Sequence, residues 1–347
     1  MKHGSASVLV LIVVLTGCSV PGRGDPGTLS TASSAAEDPT APWDLTRADT
    51  SFDPTTIAVI GDVPYGVDQE ESVNLLVDAI NDDPEVQLTI HLGDIKDGKT
   101  ECSDERLAAV SATFESFDDP LVYTPGDNEW ADCHHARSGE FNPLERLTAV
   151  RGTFFADPGS PLGGRPAIVD YQTDLVENVR WFASRVVFAT LHVVGSNNGM
   201  DPWSGLEHTV PTEDQTEEVH ARTAAATQWV DETFDSAEQG DLDGVVLAMH
   251  ADTWTPLPSS AEQAIVDRIA VRAAAFEGMV LILQGDSHEY IVDRPLDNVS
   301  VTRVVVHGES LPFEYLRLTI NPTRRLFDWE RVPVTGETPV QEETALR

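Results

Sequence analysis

The stretch LTIHLGDIKD, residues 88–97, shows the pattern on which the chain is built, because a short apolar run ends there in the acidic residues Asp94 and Asp97. Five such runs occur in the chain, and each predicts a buried strand: residues 57–61, 86–92, 121–124, 245–249 and 279–284. The residues that follow these runs include Asp62, Asp94, Asp127, Asn128, Glu129, His250, Asp286 and His288. Any single Gly-Asp pair is explained by an ordinary turn, in which Gly adopts a positive φ and Asp caps the next helix. Bringing carboxylates and imidazoles together costs free energy, because like charges repel and the groups lose solvation, unless a cation offsets that cost. Five such clusters in series therefore predict a metal site with two cations.

Helical periodicity alternates with these strands. Helices are predicted around residues 70–81, 104–117, 143–155, 212–236 and 261–275. A hairpin at residues 179–182 and 185–194 and final strands at 299–307, 315–320 and 326–330 complete the pattern. The alternation predicts α/β layering in one domain over residues 53–333. Ligands of open α/β sheets collect beyond the carboxyl ends of the strands, where all five polar clusters fall.

Composition limits the classes of partner. The chain of 347 residues has a formal charge of −36, from 58 acidic and 22 basic residues. Such a charge repels phosphate backbones, so no nucleic-acid surface is expected. An apolar fraction of 41% is enough for a full core and excludes disorder throughout. We therefore expect an anionic substrate to be attracted by metal or by a local arginine rather than by the general field.

The N-terminus has the pattern of a targeting segment. Lys2 precedes an apolar run, residues 8–15, that is too short to span a bilayer of about 30 Å. Leu15-Thr16-Gly17-Cys18 follows and resembles a bacterial lipobox. The resemblance implies a lipoprotein signal peptide at residues 1–17, lipidation of Cys18, and export to the bacterial cell envelope with a membrane anchor. Residues 18–52 are rich in Gly, Pro, Ser and Thr and predict a flexible tether, and residues 334–347 predict a polar tail. The alternative is an ordinary secretory signal with an incidental cysteine.

Two further cysteines, Cys102 and Cys133, follow strand ends on what is predicted to be the same sheet edge. In an exported protein such a pair tends to be oxidised, so a disulfide is expected between them. The alternative is a pair of free thiols.

The order of the motifs resembles the calcineurin-like metallophosphoesterases. In that family, five strands are followed in order by Asp, Gly-Asp-x-x-Asp, Gly-Asn-His-Glu, His and Gly-His-x-His. The corresponding positions of this chain, in the same order, are Asp62, residues 93–97, residues 126–129, His250 and residues 285–288. The resemblance implies a four-layer α/β/β/α sandwich of two mixed β-sheets flanked by helices. It also implies a two-metal centre at one rim of the sandwich.

The resemblance implies six metal ligands in this chain. Asp94 corresponds to the carboxylate that bridges both metals, and Asp97 to an acid that supports the centre. Asn128 stands in the place of the catalytic histidine. The full implied ligand set is Asp62 and His288 on the first metal, Asp94 on both, and Asp127, His250 and Asp286 on the second.

The chain departs from the family pattern at three places. Asp62-Val63-Pro64 lacks one first-metal histidine, which leaves Tyr65 or water to fill the position. Asp127 and Asp286 replace an Asn and a His, and an oxygen-rich set favours Mn, Fe, Mg or Ca over Zn. Asn128 cannot act as a general acid. Residues that could contact the substrate or assist catalysis are Tyr65, His134, His135, Asn197 and Asn198. For His134 and His135, an exposed pair of histidines without a role in the site is an equally good interpretation.

The resemblance implies a metal-dependent phosphoesterase that hydrolyses small phosphate mono- or diesters with a water activated by two metals. The alternative is a catalytically silent metal-binding or scaffold lipoprotein on the same fold, which the missing histidines permit.

Overall fold

The computed structural model describes residues 41–255, 257–297 and 299–334, all of which belong to one structural unit. The predicted signal peptide, Cys18, the first part of the tether and nearly all of the polar tail lie outside these residues. Within the described ranges, no helix combines the length and the apolar character needed to cross a membrane.

Two sheets form the centre of the domain. The strands are, in chain order, β1 (Trp43–Asp44), β2 (Thr55–Ile60), β3 (Val86–His91), β4 (Leu121–Tyr123), β5 (Ala167–Ile168), β6 (Asp170–Gln172), β7 (Leu175–Ala183), β8 (Val186–Thr190), β9 (Gly244–Ala248), β10 (Met279–Gln284), β11 (Ile291–Asp293), β12 (Val301–Val305), β13 (Glu314–Ile320) and β14 (Phe327–Pro333). The helices are α1 (Gly66–Asn81), α2 (Asp104–Phe114), α3 (Pro143–Phe154), the short turn α4 (Gly195–Asn198), α5 (Glu213–Gln239) and α6 (Gln263–Ala275).

Both sheets are mixed. One has five strands in the order β14-β13-β2-β3-β4, with β2, β3 and β4 parallel and β13 antiparallel to β2. The other has seven strands in the order β11-β12-β10-β9-β8-β7-β6, with β8, β9, β10 and β12 parallel. The parallel strands of each sheet therefore end together at one edge.

Three apolar layers hold the sheets and helices together. Side chains such as Ile90 of β3 and Phe188 of β8 fill the space between the two sheets. The outer face of the five-stranded sheet packs on α1, α2 and α3, and that of the seven-stranded sheet packs on α5 and α6. Strands buried on both faces explain the continuous apolar runs of the sequence. The predicted α/β/β/α sandwich is confirmed.

Contacts between strand ends join the two sheets at one rim. Asp62 N donates to Gly93 O at 3.0 Å within the first sheet, and Gly285 N donates to His250 O at 2.9 Å within the second. The His250 ring then reaches from the second sheet to the first, with Nδ1 2.9 Å from Leu92 O. The fold thus brings all five predicted clusters to the same place.

The packed part of the chain begins before residue 53, the boundary expected from sequence. Trp43–Asp44 pairs in parallel with Ala167–Ile168, and Leu45 is buried between the sheets. Ser184 N also donates to Asp49 Oδ2 at 2.6 Å. Residues 43–49 of the predicted tether are therefore held against the domain by backbone pairing and one buried leucine.

Cys102 and Cys133 form the predicted disulfide, with their Cα atoms 5.8 Å apart. Both sulfurs lie against the backbone oxygen of Asn128, at 3.4 and 3.5 Å. The bridge therefore supports the loop that carries Asn128.

Replacing both cysteines with Ser is expected to lower the free energy of unfolding by about 3 kcal/mol, because the bridge closes a loop in the unfolded chain. Denaturant titration of the oxidised wild type and of the double variant measures the difference. Reduced wild type is the control and should match the variant. Equal stability of all three proteins would contradict the expectation.

Candidate metal centre

Four residues of the centre sit where the strands turn sharply. Asp62, Asp94, Asp286 and His288 have positive φ angles, 55°, 55°, 71° and 61°. This left-handed backbone is uncommon outside glycine, and Asp and His tolerate it better than most residues. The four residues lie two to four positions after the end of β2, β3 or β10, and the left-handed backbone helps to aim their side chains at the rim.

The structure brings all six sequence-predicted ligands together. Ligand atoms of Asp62, Asp94 and His250 lie within 4.8 Å of one another, and so do those of Asp127, His250 and Asp286. His288 joins them through Nε2, which is 3.6 Å from Asp62 Oδ1. The two groups adjoin at His250.

His250 is held in a ligand orientation. Nδ1 lies 2.9 Å from the carbonyl oxygen of Leu92, which only an N–H can satisfy. Nε2 faces the carboxylates, 3.4 Å from Asp94 Oδ1 and 3.1 Å from Asp127 Oδ1, and is the ring nitrogen left to bind a cation. Metal-binding histidines commonly have their second nitrogen fixed in this way.

His288 shows the same arrangement with a carboxylate partner. Nδ1 lies 2.6 Å from Glu309 Oε2, while Nε2 points toward Asp62. The edge of the imidazole packs against Tyr65, whose ring centroid is 5.2 Å away. A carboxylate behind a histidine fixes the orientation of the ring, as it does in many metal sites.

Burial makes three carboxylates of this centre, those of Asp62, Asp94 and Asp286, hard to ionise without a counter-charge. It raises the pKa of Asp62 to about 7, with Asp286 adding to the effect and His250 and His288 opposing it. Burial also raises the pKa of Asp94 well above its usual range, and His250 offsets part of that rise. A divalent cation would supply the charge that these groups lack. The donor set, rich in oxygen and with two imidazoles, fits such an ion.

Asp94 is the most heavily contacted ligand. Asn128 donates to it twice, from N to Oδ1 at 3.0 Å and from Nδ2 to Oδ2 at 2.5 Å. Tyr65 Oη also donates to Oδ2. Gly126 passes so close that a Cβ there would collide with Asp94 Oδ1, which explains the Gly of this loop. Tyr65 and Asn128 therefore both lie in contact with the centre, as the sequence suggested.

Glu129 organises the loops behind Asp94. Its Oε1 accepts hydrogen bonds from Asp94 N at 3.2 Å, Gly126 N at 2.6 Å and Tyr123 Oη at 2.6 Å. The side chain is fully buried and joins two strand-end loops.

Other predicted residues lie farther from the ligands or face elsewhere. Asp97 closes its own loop, with Oδ1 accepting from Lys99 N and from Thr100 N and Oγ1, so its carboxylate does not touch a ligand. Asn198 is buried, and its Oδ1 and carbonyl accept from Arg222, so the side chain stabilises the α4 turn. Its neighbour Asn197 has a positive φ of 56° and a buried Oδ1 with no hydrogen-bond partner among the described residues.

The two adjacent histidines form a separate group. The rings of His134 and His135 are in contact, with centroids 4.0 Å apart and planes tilted by 46°, and ligand atoms of Asp132 and both histidines lie within 4.8 Å of one another. His134 is buried and accepts a hydrogen bond from Gly205 N through Nδ1 at 3.2 Å. Its burial contradicts the solvated surface pair proposed from sequence. His91 and His192 are buried as well, bonded to Val63 O and to Glu177.

Three residues of the site were missed from sequence. Glu309 follows β12 at its carboxyl end, so the strand-end pattern could have found it. Ser196 Oγ lies 3.0 Å from Asp127 Oδ2 and 2.8 Å from Asp132 Oδ1, and no motif signals it. Lys96 is fully buried and donates to Asp97 O at 3.0 Å. Burial lowers the pKa of Lys96, while the Asp94 carboxylate opposes the shift.

A cleft of about 280 Å³ opens beside the centre. It is lined by Tyr65, Asp97, Gly98, Lys99, Asn128, Arg137, His288 and Glu309. A small ligand in this cleft would meet the centre on one side and two cationic side chains on its wall.

Comparison with known proteins gives one family match and two structural similarities. A family model described as calcineurin-like phosphoesterase matches residues 55–290. No curated protein matches the chain. Among solved structures, a dimetal phosphatase from Danio rerio is similar at 15% identity and a TM-score of 0.45, covering 82% of this chain and 100% of that one. GAP50, the anchor in the inner membrane complex of Plasmodium, is similar at 9% identity and a TM-score of 0.43, covering 81% of this chain and 89% of that one.

Proposed function

The chain belongs to the calcineurin-like phosphoesterase family, and we propose that it hydrolyses small phosphate mono- or diesters with two divalent metal ions. The observation that carries the proposal is the orientation of His250 and His288. Each has one ring nitrogen occupied by an acceptor and the other directed at buried carboxylates. Two imidazoles that converge on several buried carboxylates make up the donor set of a divalent-cation site.

Two such ions would lower the pKa of a water and offset the charge of a phosphoryl group. Asp62 and His288 would hold one ion, and Asp127, His250 and Asp286 the other. Asp94 lies between the two groups, within 3.4 Å of His250 Nε2, and would bridge them. By hardness, Mn, Fe, Mg or Ca suits this set better than Zn.

Asn128 would position the substrate rather than move a proton. Its amide nitrogen lies 2.5 Å from Asp94 Oδ2 and 2.9 Å from Tyr65 Oη, at the border of the cleft. Nδ2 donates to both of these oxygens, so a phosphoryl oxygen would take the place of one of them as acceptor, and an amide has no proton to give to a leaving group.

Removal and return of metal test the proposal. Protein treated with a chelator should lose hydrolysis of p-nitrophenyl phosphate, and Mn should restore it more fully than Zn. The competing function, a silent scaffold, is favoured by the Pro64 and Asn128 substitutions in the family motifs. Absence of turnover with every metal, in protein that remains folded, would favour that scaffold.

We also propose that the protein is anchored in the bacterial cell envelope through Cys18. The support is Leu15-Thr16-Gly17-Cys18 after a short apolar run, which lies outside the described residues. Cys18→Ser is expected to leave the protein soluble or unprocessed, as seen by membrane fractionation and by the mass of the mature N-terminus. Normal cleavage with retention in the membrane would argue against the anchor.

A further inference from the structure

The short turn α4 has an unusual backbone beside the second ligand group, which is Asp127, His250 and Asp286. Residues 196–198 have positive φ angles in succession, 51°, 56° and 53°. Residues other than Gly seldom adopt this left-handed conformation, and a run of three persists only where the surrounding structure fixes it. The turn adjoins the ligands directly, because a Cβ built on Gly195 would lie 2.9 Å from Asp127 Oδ2 and 3.0 Å from Asp286 Oδ1.

Two buried side chains of α5 hold this turn in place. Arg222 Nη2 donates to Asn198 O at 2.8 Å, and Gln215 Nε2 donates to Gly199 O at 2.7 Å. Both side chains lie in the interior of the domain. The turn is therefore fixed by the fold, and the position of Ser196 is fixed with it.

Ser196 covers one oxygen of a ligand. Its Oγ lies 3.0 Å from Asp127 Oδ2, while Asp127 Oδ1 lies 3.1 Å from His250 Nε2. The carboxylate of Asp286 is divided in the same way, since Oδ2 accepts from Asp252 N at 3.2 Å and Oδ1 lies 3.8 Å from His250 Nε2. Each carboxylate of the second ligand group thus turns one oxygen toward His250 and has the other engaged by the protein.

This division bears on which ion fits. Calcium takes about six to eight oxygen ligands and often uses both oxygens of a carboxylate, whereas Mg and Mn favour an octahedral set. We infer that Ser196 is a positioning residue which holds Asp127 as a one-oxygen ligand, so that the second ligand group selects Mn or Mg over Ca. The inference rests on the proposed two-metal function and narrows its choice of ions.

Removal of the hydroxyl tests the inference. Ser196→Gly keeps the left-handed backbone, because Gly adopts positive φ freely. By calorimetry without substrate, the ratio of the dissociation constants for Ca and Mn should fall about 10-fold, the effect of losing one hydrogen bond to a charged group. The relevant site is the one that Asp286→Ala weakens. An unchanged ratio in folded Ser196→Gly protein would overturn the inference.

Ser184→Gly is the matched control. Ser184 also has a positive φ, 48°, and a buried side chain, but it lies in the turn between β7 and β8, at the opposite end of the sheet. This variant loses a buried hydroxyl of the same kind and should keep the wild-type ratio. A fall equal to that of Ser196→Gly would indicate a general effect of lost stability and contradict the inference.

Asp132 competes for the same hydroxyl. Ser196 Oγ lies 2.8 Å from Asp132 Oδ1, and a hydroxyl has one hydrogen to donate. Asp132→Ala removes the competing acceptor, so the ratio should stay at the wild-type value or rise. A fall in this variant would place the ion preference in Asp132 instead of the contact between Ser196 and Asp127, and would overturn the inference.

Turnover of p-nitrophenyl phosphate separates the inference from the function on which it rests. Wild-type protein that hydrolyses this substrate but binds Ca as tightly as Mn would contradict the inference alone. Protein that prefers Mn, loses the preference in Ser196→Gly and has no turnover would contradict the hydrolase and support the inference. Protein that binds neither ion would contradict both.

Discussion

Replacing Asp94 with Asn should lower phosphoester turnover by at least about 1,000-fold, because a neutral amide cannot bridge two cations as a carboxylate does. Asp94 accepts hydrogen bonds from Asn128 N and Nδ2 and faces His250 Nε2 at 3.4 Å. An amide of the same shape retains part of this network, so the fold should survive. Steady-state hydrolysis of p-nitrophenyl phosphate, with circular dichroism of both proteins, measures the two effects separately.

Asp118→Asn is a matched control for this substitution. Asp118 is exposed and precedes β4, so it lies at the end of the sheet opposite to the centre. Its variant should keep wild-type turnover. An Asp94→Asn variant that turns over normally with its metal still bound would remove Asp94 from the mechanism.

Asp286→His should shift the metal preference toward Zn, by about 10-fold in relative activity, because it replaces a hard oxygen ligand with an imidazole. Asp286 Oδ1 lies 3.8 Å from His250 Nε2, and its backbone has a φ of 71°, which His288 nearby shows that His can adopt. Loss of one negative charge should also make water at the centre more acidic. The form ready to attack is then reached at lower pH, and the optimum should move down by about one unit from a wild-type value above neutrality.

Asp286→Ala is the companion variant, since it removes the ligand and supplies no other. It should lose metal affinity without any gain in Zn preference. If both variants keep the metal content, the metal preference and the pH profile of the wild type, Asp286 is not a ligand. The correspondence of residues 285–288 with the family motif would then be wrong.

The strand-end clusters could be predicted because each is local in sequence. Asp62, Asp94 and His250 directly follow apolar runs, and the carboxyl ends of parallel strands meet at one edge. The disulfide followed from the same placement. The layering and most helix positions likewise follow from periodicity and differ from the structure by a few residues.

What escaped prediction depends on partners distant in the chain. Glu309 matters through its contact with His288, and Ser196 through a left-handed turn that aims it at Asp127. Asn198 has a polar side chain in a glycine-bounded loop, as a substrate contact would, but Arg222 of α5 binds it from the other side. Sequence periodicity does not indicate such pairings.

Elemental analysis of purified protein, with p-nitrophenyl phosphate turnover on the same sample, tests the central claim most directly. We expect two hard divalent ions per chain and turnover that falls with the metal content when His250 is replaced by Ala, because Nε2 of His250 faces both ligand groups. One ion or none in the wild type, without turnover, would contradict a two-metal phosphoesterase and leave a scaffold on the same fold.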